Sequence, residues 1–316
     1  MDLFTKLVLV YSVRTVCLLV FLSTLSWKAI LYFSIFLVSL YFLPLFPPKS
    51  PSDKKRLAKT RDIMAELYPD AEDDVQAKMV SDAIVNLVSY DAEDTPSMQR
   101  FETIIQNSNC VFARNAKLWG SPPWNYELNL DGNIYRLLPM LLKFTIKCSS
   151  QKLDAFLIEL PGKIFGENVQ DFGDGIYKVL KVISDNDPAK IHCMNKSYID
   201  KRGWVFEFNK VTFFITTFAP FYPENHPRYA FRAKDCYILL QPEMSFAFHD
   251  LPPDTTETNW DQPQTVRDKI RVAFKDAGRS YYIPDSVYSP MVFEILRPIS
   301  EQDSSYEWWK SGKKCK

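Results

Sequence analysis

Residues 203–218 have the sequence GWVFEFNKVTFFITTF and contain two aromatic and β-branched runs, 203–208 and 211–218. Residues of these types favour β-strands because they fit a pleated, half-buried surface. The spacer Asn209-Lys210 has the two-residue length of a tight hairpin turn. The stretch therefore predicts two neighbouring antiparallel strands, around which the rest of the fold can be arranged.

The segments on either side of this hairpin add further strands and helices. Pro161-Gly162 ends an apolar run on one side, and Gly278 follows an amphipathic pattern on the other. Strands are predicted at 153–160, 236–241 and 245–248, and helices at 169–184 and 265–277. This mixture predicts an α+β fold with a central, mostly antiparallel sheet and flanking helices.

Composition excludes several classes of protein. Lys+Arg and Asp+Glu both total 38, so the net charge is zero and no nucleic-acid partner is expected. The six cysteines form no Cys-x-x-Cys pair, which argues against a disulfide-stapled secreted module. The P-loop, zinc-protease and serine-hydrolase motifs are absent, and Gly173-Asp174-Gly175 lacks the third glycine of a dinucleotide-binding loop, so it is interpreted as a turn.

The N-terminus predicts a membrane anchor over residues 1–48. Residues 7–46 are apolar except for Arg14 and Lys28, and the run 29–46 has 18 residues without a charge. Such a run is just long enough to cross a bilayer. A single transmembrane helix and a two-helix hairpin remain open.

A basic linker, 49–69, follows the anchor, and then a globular domain, 70–300, begins with a predicted amphipathic helix at 71–90. By the positive-inside rule the basic flank predicts that the domain faces the cytosol. The expected location is a membrane such as the endoplasmic reticulum. The basic aromatic tail, 301–316, is expected to be frayed, with contact of its tryptophans to lipid headgroups as the alternative.

A first candidate site is the loop 219–229 (APFYPENHPRY), which leaves the sheet after Phe218. It combines the imidazole of His226 with aromatic rings and with Arg228 and, shortly after, Arg232. An imidazole can ligate iron, and guanidinium groups can pair with cofactor carboxylates. The same residues also suit an exposed proline-rich turn. His249 is interpreted as a residue at a strand end, without a chemical role.

A second candidate is the segment 109–117 (NCVFARNAK). In one interpretation, a buried Cys110 and Phe112 open a helix whose Arg114 and Lys117 face solvent. In the other, the thiol of Cys110 lies beside Arg114 near a pocket, where a cation favours the thiolate and hence metal ligation or reactivity.

Together these stretches resemble the YqcI/YcgG family. Cys110-Val111-Phe112-Ala113-Arg114 is similar to its Cys-x-Phe-Ala element, and His226-Pro227-Arg228 resembles its histidine–arginine element. Later family blocks resemble 237–242, 245–246 and 265–271, so the resemblance covers roughly residues 70–297.

Some bacterial members of this family are haem-dependent oxygenases that hydroxylate a side-chain nitrogen, such as that of the arginine guanidine. The resemblance implies haem as the cofactor, with His226 as its iron ligand and with Arg228 and Arg232 binding the cofactor. It also implies that Cys110 and Arg114 lie at the catalytic pocket, with Cys110 as an alternative axial thiolate and Arg114 as another partner of the propionates.

Two functions are consistent with these observations. The first is a membrane-anchored haem oxygenase that acts on a small-molecule substrate with electrons from a separate reductase, since no flavin or nicotinamide motif is present. The second is a non-catalytic, membrane-tethered binding domain. A porphyrin-sized pocket beside His226 would favour the first, and a filled core there would favour the second.

Overall fold

The computed structural model describes residues 91–249, 251, 257–279, 290–300 and 302–313. The predicted anchor, the linker and the predicted helix at 71–90 lie outside these residues. Within the described part, no helix is both long enough and apolar enough to cross a membrane. The anchor and its topology therefore stay predictions from the sequence.

Helices and strands both occur throughout the described chain. The helices are α1 (Pro96–Asn107), α2 (Leu130–Gln151), α3 (Gly162–Phe165), α4 (Val169–Asp185), α5 (Glu243–Phe248), α6 (Val266–Asp276) and α7 (Val292–Ile295). The strands are β1 (Leu118–Gly120), β2 (Ala155–Leu160), β3 (Phe206–Phe208), β4 (Val211–Phe218) and β5 (Cys236–Pro242). Short 3₁₀ helices cover Ala113–Asn115, Cys193–Asn195 and Trp308–Lys313.

The described strands form one sheet in the order β1-β2-β5-β4-β3. β1 and β2 run parallel, and every other neighbouring pair is antiparallel. This confirms the predicted α+β class with a mostly antiparallel sheet. β3 pairs only with residues 211–213 of β4, and α7 lies beside the rest of that strand, where the Thr217 hydroxyl donates to the Ile295 carbonyl at 2.5 Å.

The predicted hairpin at the centre of the sequence is confirmed. Asn209 and Lys210 both have positive φ, 49° and 62°, as the two central residues of a type I′ turn require. Asparagine tolerates this left-handed region, whereas a lysine side chain adds steric cost there. Asn209 therefore suits the left-handed backbone of this turn, and Lys210 does not.

Lys210→Gly is expected to stabilise the protein by about 0.5–1 kcal/mol, because glycine adopts positive φ without a Cβ clash. Lys196→Gly is the matched control, since Lys196 is also exposed but has an ordinary φ of −70°. Urea denaturation should show the first variant gaining stability and the second losing a little. A loss in both would contradict the proposed strain at Lys210.

One face of the sheet packs against α2 and α4. α2 begins where the Asn129 side chain accepts a hydrogen bond from Gly132 N at 2.7 Å. Its apolar residues recur at three- and four-residue spacing and turn one stripe towards the sheet. The principal core of the domain lies between these layers and includes Leu138, Phe144, Phe156, Ile158, Ile176, Leu180, Phe213, Ile215, Ile238 and Leu240.

The second face is covered by α1, which begins at Thr95, whose hydroxyl accepts from Met98 N at 3.2 Å. Phe101, Ile104 and Ile105 of α1 pack with Leu157, Tyr237 and Leu239 of the sheet. α1 is also fixed by Arg100, whose guanidinium pairs with the buried Glu159 carboxylate of β2. Beside α1, the sheet and α6 enclose a cavity, described below.

Two local predictions are wrong. The predicted strand at 245–248 is part of helix α5, because Pro242 lacks an N–H, ends β5 and sits immediately before the first turn of the helix. Gly173-Asp174-Gly175 is not a turn but lies inside α4. A Cβ at Gly173 would lie 2.5 Å from Cε1 of Tyr306, so glycine here allows the C-terminal segment to approach the helix.

The C-terminal tail is not frayed over residues 302–313. Trp308 is 0% exposed, and its indole Nε1 donates to the Val292 carbonyl at 3.0 Å. Trp309 packs edge-on against Phe293, with ring centroids 5.0 Å apart. The Tyr306 hydroxyl donates to Asp174 of α4 at 2.9 Å. Both tryptophans are therefore core residues and do not face lipid.

Candidate functional site: a cavity lined by His249 and Arg228

A cavity of about 650 Å³ lies on the second face of the sheet. This volume lies in the range of small-molecule and cofactor sites. Its floor is formed by sheet residues, and its walls come from α1, the segment 108–116, α6 and the vicinity of α7. The floor residues are Leu118, Ala155, Phe214, Thr216, Phe218, Leu239 and Gln241.

A histidine–carboxylate pair lines one end of the cavity. Nε2 of His249 lies 2.6 Å from Oδ1 of Asp154, and Asp154 Oδ2 accepts from Lys117 N at 2.8 Å. The carboxylate is thus held between the starts of β1 and β2, and Phe112 packs on the imidazole at a centroid distance of 5.2 Å. Among the described residues, none bonds to Nδ1 of His249. A carboxylate that holds one imidazole nitrogen orients the ring and makes the other nitrogen a better ligand or base.

Arginines line the other end. Arg297 is paired with Glu294, Nε to Oε2 at 3.2 Å, and Arg228 donates to the Glu294 carbonyl at 3.5 Å. The sheet register places Phe214 level with Ala155, which directly follows Asp154 at the histidine end of the cavity. Phe218 lies four residues further along β4, towards the arginine end. At the rise of a β-strand this separates the two ends by roughly 13 Å. The cavity therefore suits an elongated or a broad, flat molecule.

Cys110 lines the same cavity, and its thiol interacts electrostatically with the Arg228 guanidinium. Burial raises the pKa of the Cys110 thiol, and backbone hydrogen bonds and the Arg228 guanidinium offset only part of this effect. The side chain is therefore a neutral thiol near pH 7. The axial-thiolate role of Cys110 stays a prediction of the family resemblance, because a coordinated metal ion would itself deprotonate the thiol.

His226 lies outside the cavity wall, in a filled part of the core. Its Nδ1 accepts from Arg228 N at 3.0 Å, so Nε2 must carry the hydrogen that it donates to the Pro298 carbonyl at 3.1 Å. The ring stacks on Tyr222 at 4.0 Å with an interplanar angle of 1°. Burial, followed by the Arg228 charge, lowers the pKa of His226 to about 4. Both nitrogens are engaged, so His226 as placed offers no ligand to iron.

The remaining predicted site residues are divided between the cavity and the surface. Arg228 and Cys110 both line the cavity. Arg114 is exposed and donates to the Gln106 carbonyl at 3.3 Å, and Ala113 takes its place in the wall. Arg232, with φ of 67°, is also not part of the wall.

The sequence analysis missed His249 and Asp154. The two residues are 95 positions apart, so no local spacing signals the pair. The available signal was indirect: Asp154 is a charged residue at the start of the predicted strand 153–160, whose only other charged residue is Glu159. Such a position at a strand end is where a sheet presents functional groups.

The family model of the YqcI/YcgG family matches residues 101–278, more than half of the chain. The chain belongs to the YqcI/YcgG family. No curated protein and no solved structure matches it. The matched YqcI/YcgG region contains Cys110, Asp154, Arg228 and His249, so most of the cavity is built from family sequence. Glu294 and Arg297 lie beyond the match.

The side chains that line the cavity can be compared with the ligands that a metal ion or haem would need. Within the described residues, no group of three His, Cys, Asp or Glu side chains is placed to hold a metal ion. Haem makes a smaller demand, because the porphyrin supplies four nitrogens and the protein needs to add one axial ligand. His249 is such a donor on the wall, and the arginines can pair with carboxylates. The donor set fits haem through His249 and not through His226.

Proposed function

We propose that the cavity binds haem and that the protein is a haem-dependent oxygenase of a small-molecule substrate. The observation that carries the proposal is His249, held by Asp154, on the wall of a cavity of about 650 Å³. Membership of the YqcI/YcgG family supports it, since the resemblance implies haem-dependent N-hydroxylation. The aromatic and aliphatic lining supports it as well, because a porphyrin face is apolar.

Each residue of the site has a defined task in this proposal. His249 would hold the haem iron, and Asp154 orients the imidazole. Arg228 and Arg297 pair with the cofactor's carboxylates at the opposite end. Phe112 and apolar floor residues such as Phe214 and Leu239 would exclude water from the reacting centre. Haem bound here would supply the activation of dioxygen, with electrons from a separate reductase.

The proposal includes the N-terminal anchor. Its support is the apolar run 7–46 and the basic segment that follows, which together favour a domain tethered to a membrane and facing the cytosol. A membrane location such as the endoplasmic reticulum would bring the cavity close to membrane-bound reductases.

The test compares two matched histidine variants of the full chain, His249→Gln and His226→Gln, with the wild type. Each protein is expressed with added haem precursor, and its optical absorption spectrum is recorded. We expect a stoichiometric haem band in the wild type and in His226→Gln, and a lost or shifted band in His249→Gln, because only His249 lies on the cavity wall. Circular dichroism of both variants checks that each is folded.

Two outcomes would overturn the proposal. A haem band that survives in His249→Gln but shifts in His226→Gln would identify His226, and not His249, as the iron ligand. The absence of haem from the wild type would favour the non-catalytic binding domain.

A further inference from the structure

The floor of the cavity carries a pair of polar side chains that haem binding does not use. Gln241 Nε2 donates to Thr216 Oγ1 at 2.7 Å, and both residues line the cavity. They lie on the neighbouring strands β5 and β4, with Gln241 opposite Phe214 and Thr216 two residues further along, a diagonal cross-strand pair. Thr216 is 8% exposed, so this polar group is almost fully removed from bulk solvent.

Each member of the pair keeps unused hydrogen-bonding capacity. When Gln241 donates one N–H to Thr216, the threonine retains its hydroxyl hydrogen, and the glutamine retains its carbonyl oxygen and its second N–H. Neither side chain makes another hydrogen bond within the described residues. If the amide oxygen and nitrogen of Gln241 were exchanged, the pair would still present at least one donor and one acceptor. The conclusion therefore does not depend on the amide orientation.

The apolar residues around Gln241 and Thr216 make their unused hydrogen-bonding groups selective among ligands. The neighbouring floor residues Ala155, Phe214 and Leu239 are apolar and offer no alternative partner to a bound polar group. A buried donor or acceptor that is left unpaired loses its hydration without compensation. A site of this kind rejects ligands that lack the matching group far more strongly than a purely apolar site does.

We propose that Gln241 and Thr216 form a subsite for a neutral group that carries one hydrogen-bond donor and one acceptor side by side, such as a carboxamide. This rests on the proposed function in that the subsite would bind the substrate of the same cavity. A guanidinium group has only donors and would leave the threonine hydroxyl hydrogen without an acceptor. A carboxylate has only acceptors and would face the glutamine carbonyl oxygen. The subsite thus favours an amide over the guanidine that the family resemblance implies.

The test uses three probes with the same alkyl chain: hexanamide, hexylguanidinium and hexanoate. Isothermal titration calorimetry measures their binding to the full chain and to the variants Thr216→Val, Gln241→Glu and Thr212→Val. Thr212→Val is the matched control, because the Thr212 hydroxyl bonds to Glu243 at 2.8 Å and the residue is not part of the cavity wall. Each measurement is made with and without loaded haem.

We expect hexanamide to bind the wild type about tenfold more tightly than either charged probe, as one lost buried hydrogen bond implies. Thr216→Val should lose about tenfold in hexanamide affinity, and Thr212→Val should retain it. Gln241→Glu should invert the preference towards hexylguanidinium, since it replaces an amide by a carboxylate.

Equal affinity for the three probes, or equal losses in the two threonine variants, would overturn the subsite. These outcomes are separable from failure of the oxygenase proposal. Selective hexanamide binding without any haem band would overturn the oxygenase and leave the subsite standing. A haem band without discrimination among the probes would overturn the subsite alone.

Discussion

Trp308→Ala is expected to lower the free energy of unfolding by about 3–5 kcal/mol, the usual cost of truncating a fully buried large aromatic side chain. Trp308 is 0% exposed and belongs to the principal core between the sheet and its helices. Its removal would also leave the Val292 carbonyl without the indole donor that lies 3.0 Å away. The loss therefore combines a cavity with a broken buried hydrogen bond.

Urea denaturation measures this loss, and Trp260→Ala is the matched control. Trp260 is 42% exposed, and the Lys275 ammonium lies 4.8 Å from its ring centroid. An exposed cation–π contact contributes about 0.5–1 kcal/mol, so the control should change little. A change below about 1 kcal/mol in Trp308→Ala would mean that the tail frays in solution, as the sequence analysis expected.

His226 is expected to make the folded state lose stability as the pH falls from about 6.5 to about 4. The pKa of His226 is lowered to about 4 in the folded protein, mainly by burial and next by the charge of Arg228. In this window the unfolded chain binds a proton that the folded chain does not, so acid favours unfolding. The stabilising contribution is fully present above about pH 6.5, and about 3 kcal/mol of it has been lost when the pH reaches the folded pKa.

The measurement is the free energy of unfolding in urea at about pH 7 and about pH 4 for the wild type and for His226→Gln. Carboxylates also titrate in this range, but they contribute equally to both proteins. The wild type should therefore lose about 3 kcal/mol more than the variant on acidification. Parallel pH profiles would contradict a depressed pKa at His226 and would indicate that the ring is solvated.

Local patterns predicted the centre of the fold well. Five predicted elements are present with bounds that differ by only a few residues from the prediction: the strands at 153–160, 211–218 and 236–241 and the helices at 169–184 and 265–277. Each of them buries one face or is closed by a clear turn or cap. The last of these helices begins with the capping box of Thr265 and Asp268. Within residues 96–151 a helix after Cys110 and Phe112 was one interpretation, and the structure has there only the short 3₁₀ helix Ala113–Asn115, with Arg114 and Lys117 exposed. α1, β1 and α2 were not predicted. Pro139 lies inside α2 and interrupts the helical signal, although the packing of α2 on the sheet maintains the helix across it.

The site was less accessible from sequence. The loop around His226 has the composition of a ligand site. However, both imidazole nitrogens of His226 are hydrogen-bonded, one to a backbone N–H two residues away and the other to a carbonyl 72 residues away. His249 follows an aromatic stretch that resembles a strand, and its partner Asp154 is remote in the chain. Which histidine keeps a nitrogen available depends on tertiary contacts that no local pattern encodes.

The arrangement of the sheet edges has a consequence for the behaviour of the protein at high concentration. β1 and β3, the described edge strands, are three residues long, and the hydrogen bond from the Thr217 hydroxyl to the Ile295 carbonyl holds α7 beside the part of β4 that β3 leaves unpaired. Long unpaired edges template the addition of strands from other molecules, which is how sheets nucleate aggregates. In the described part of this domain, short and shielded edges leave little backbone on which a second molecule could add a strand.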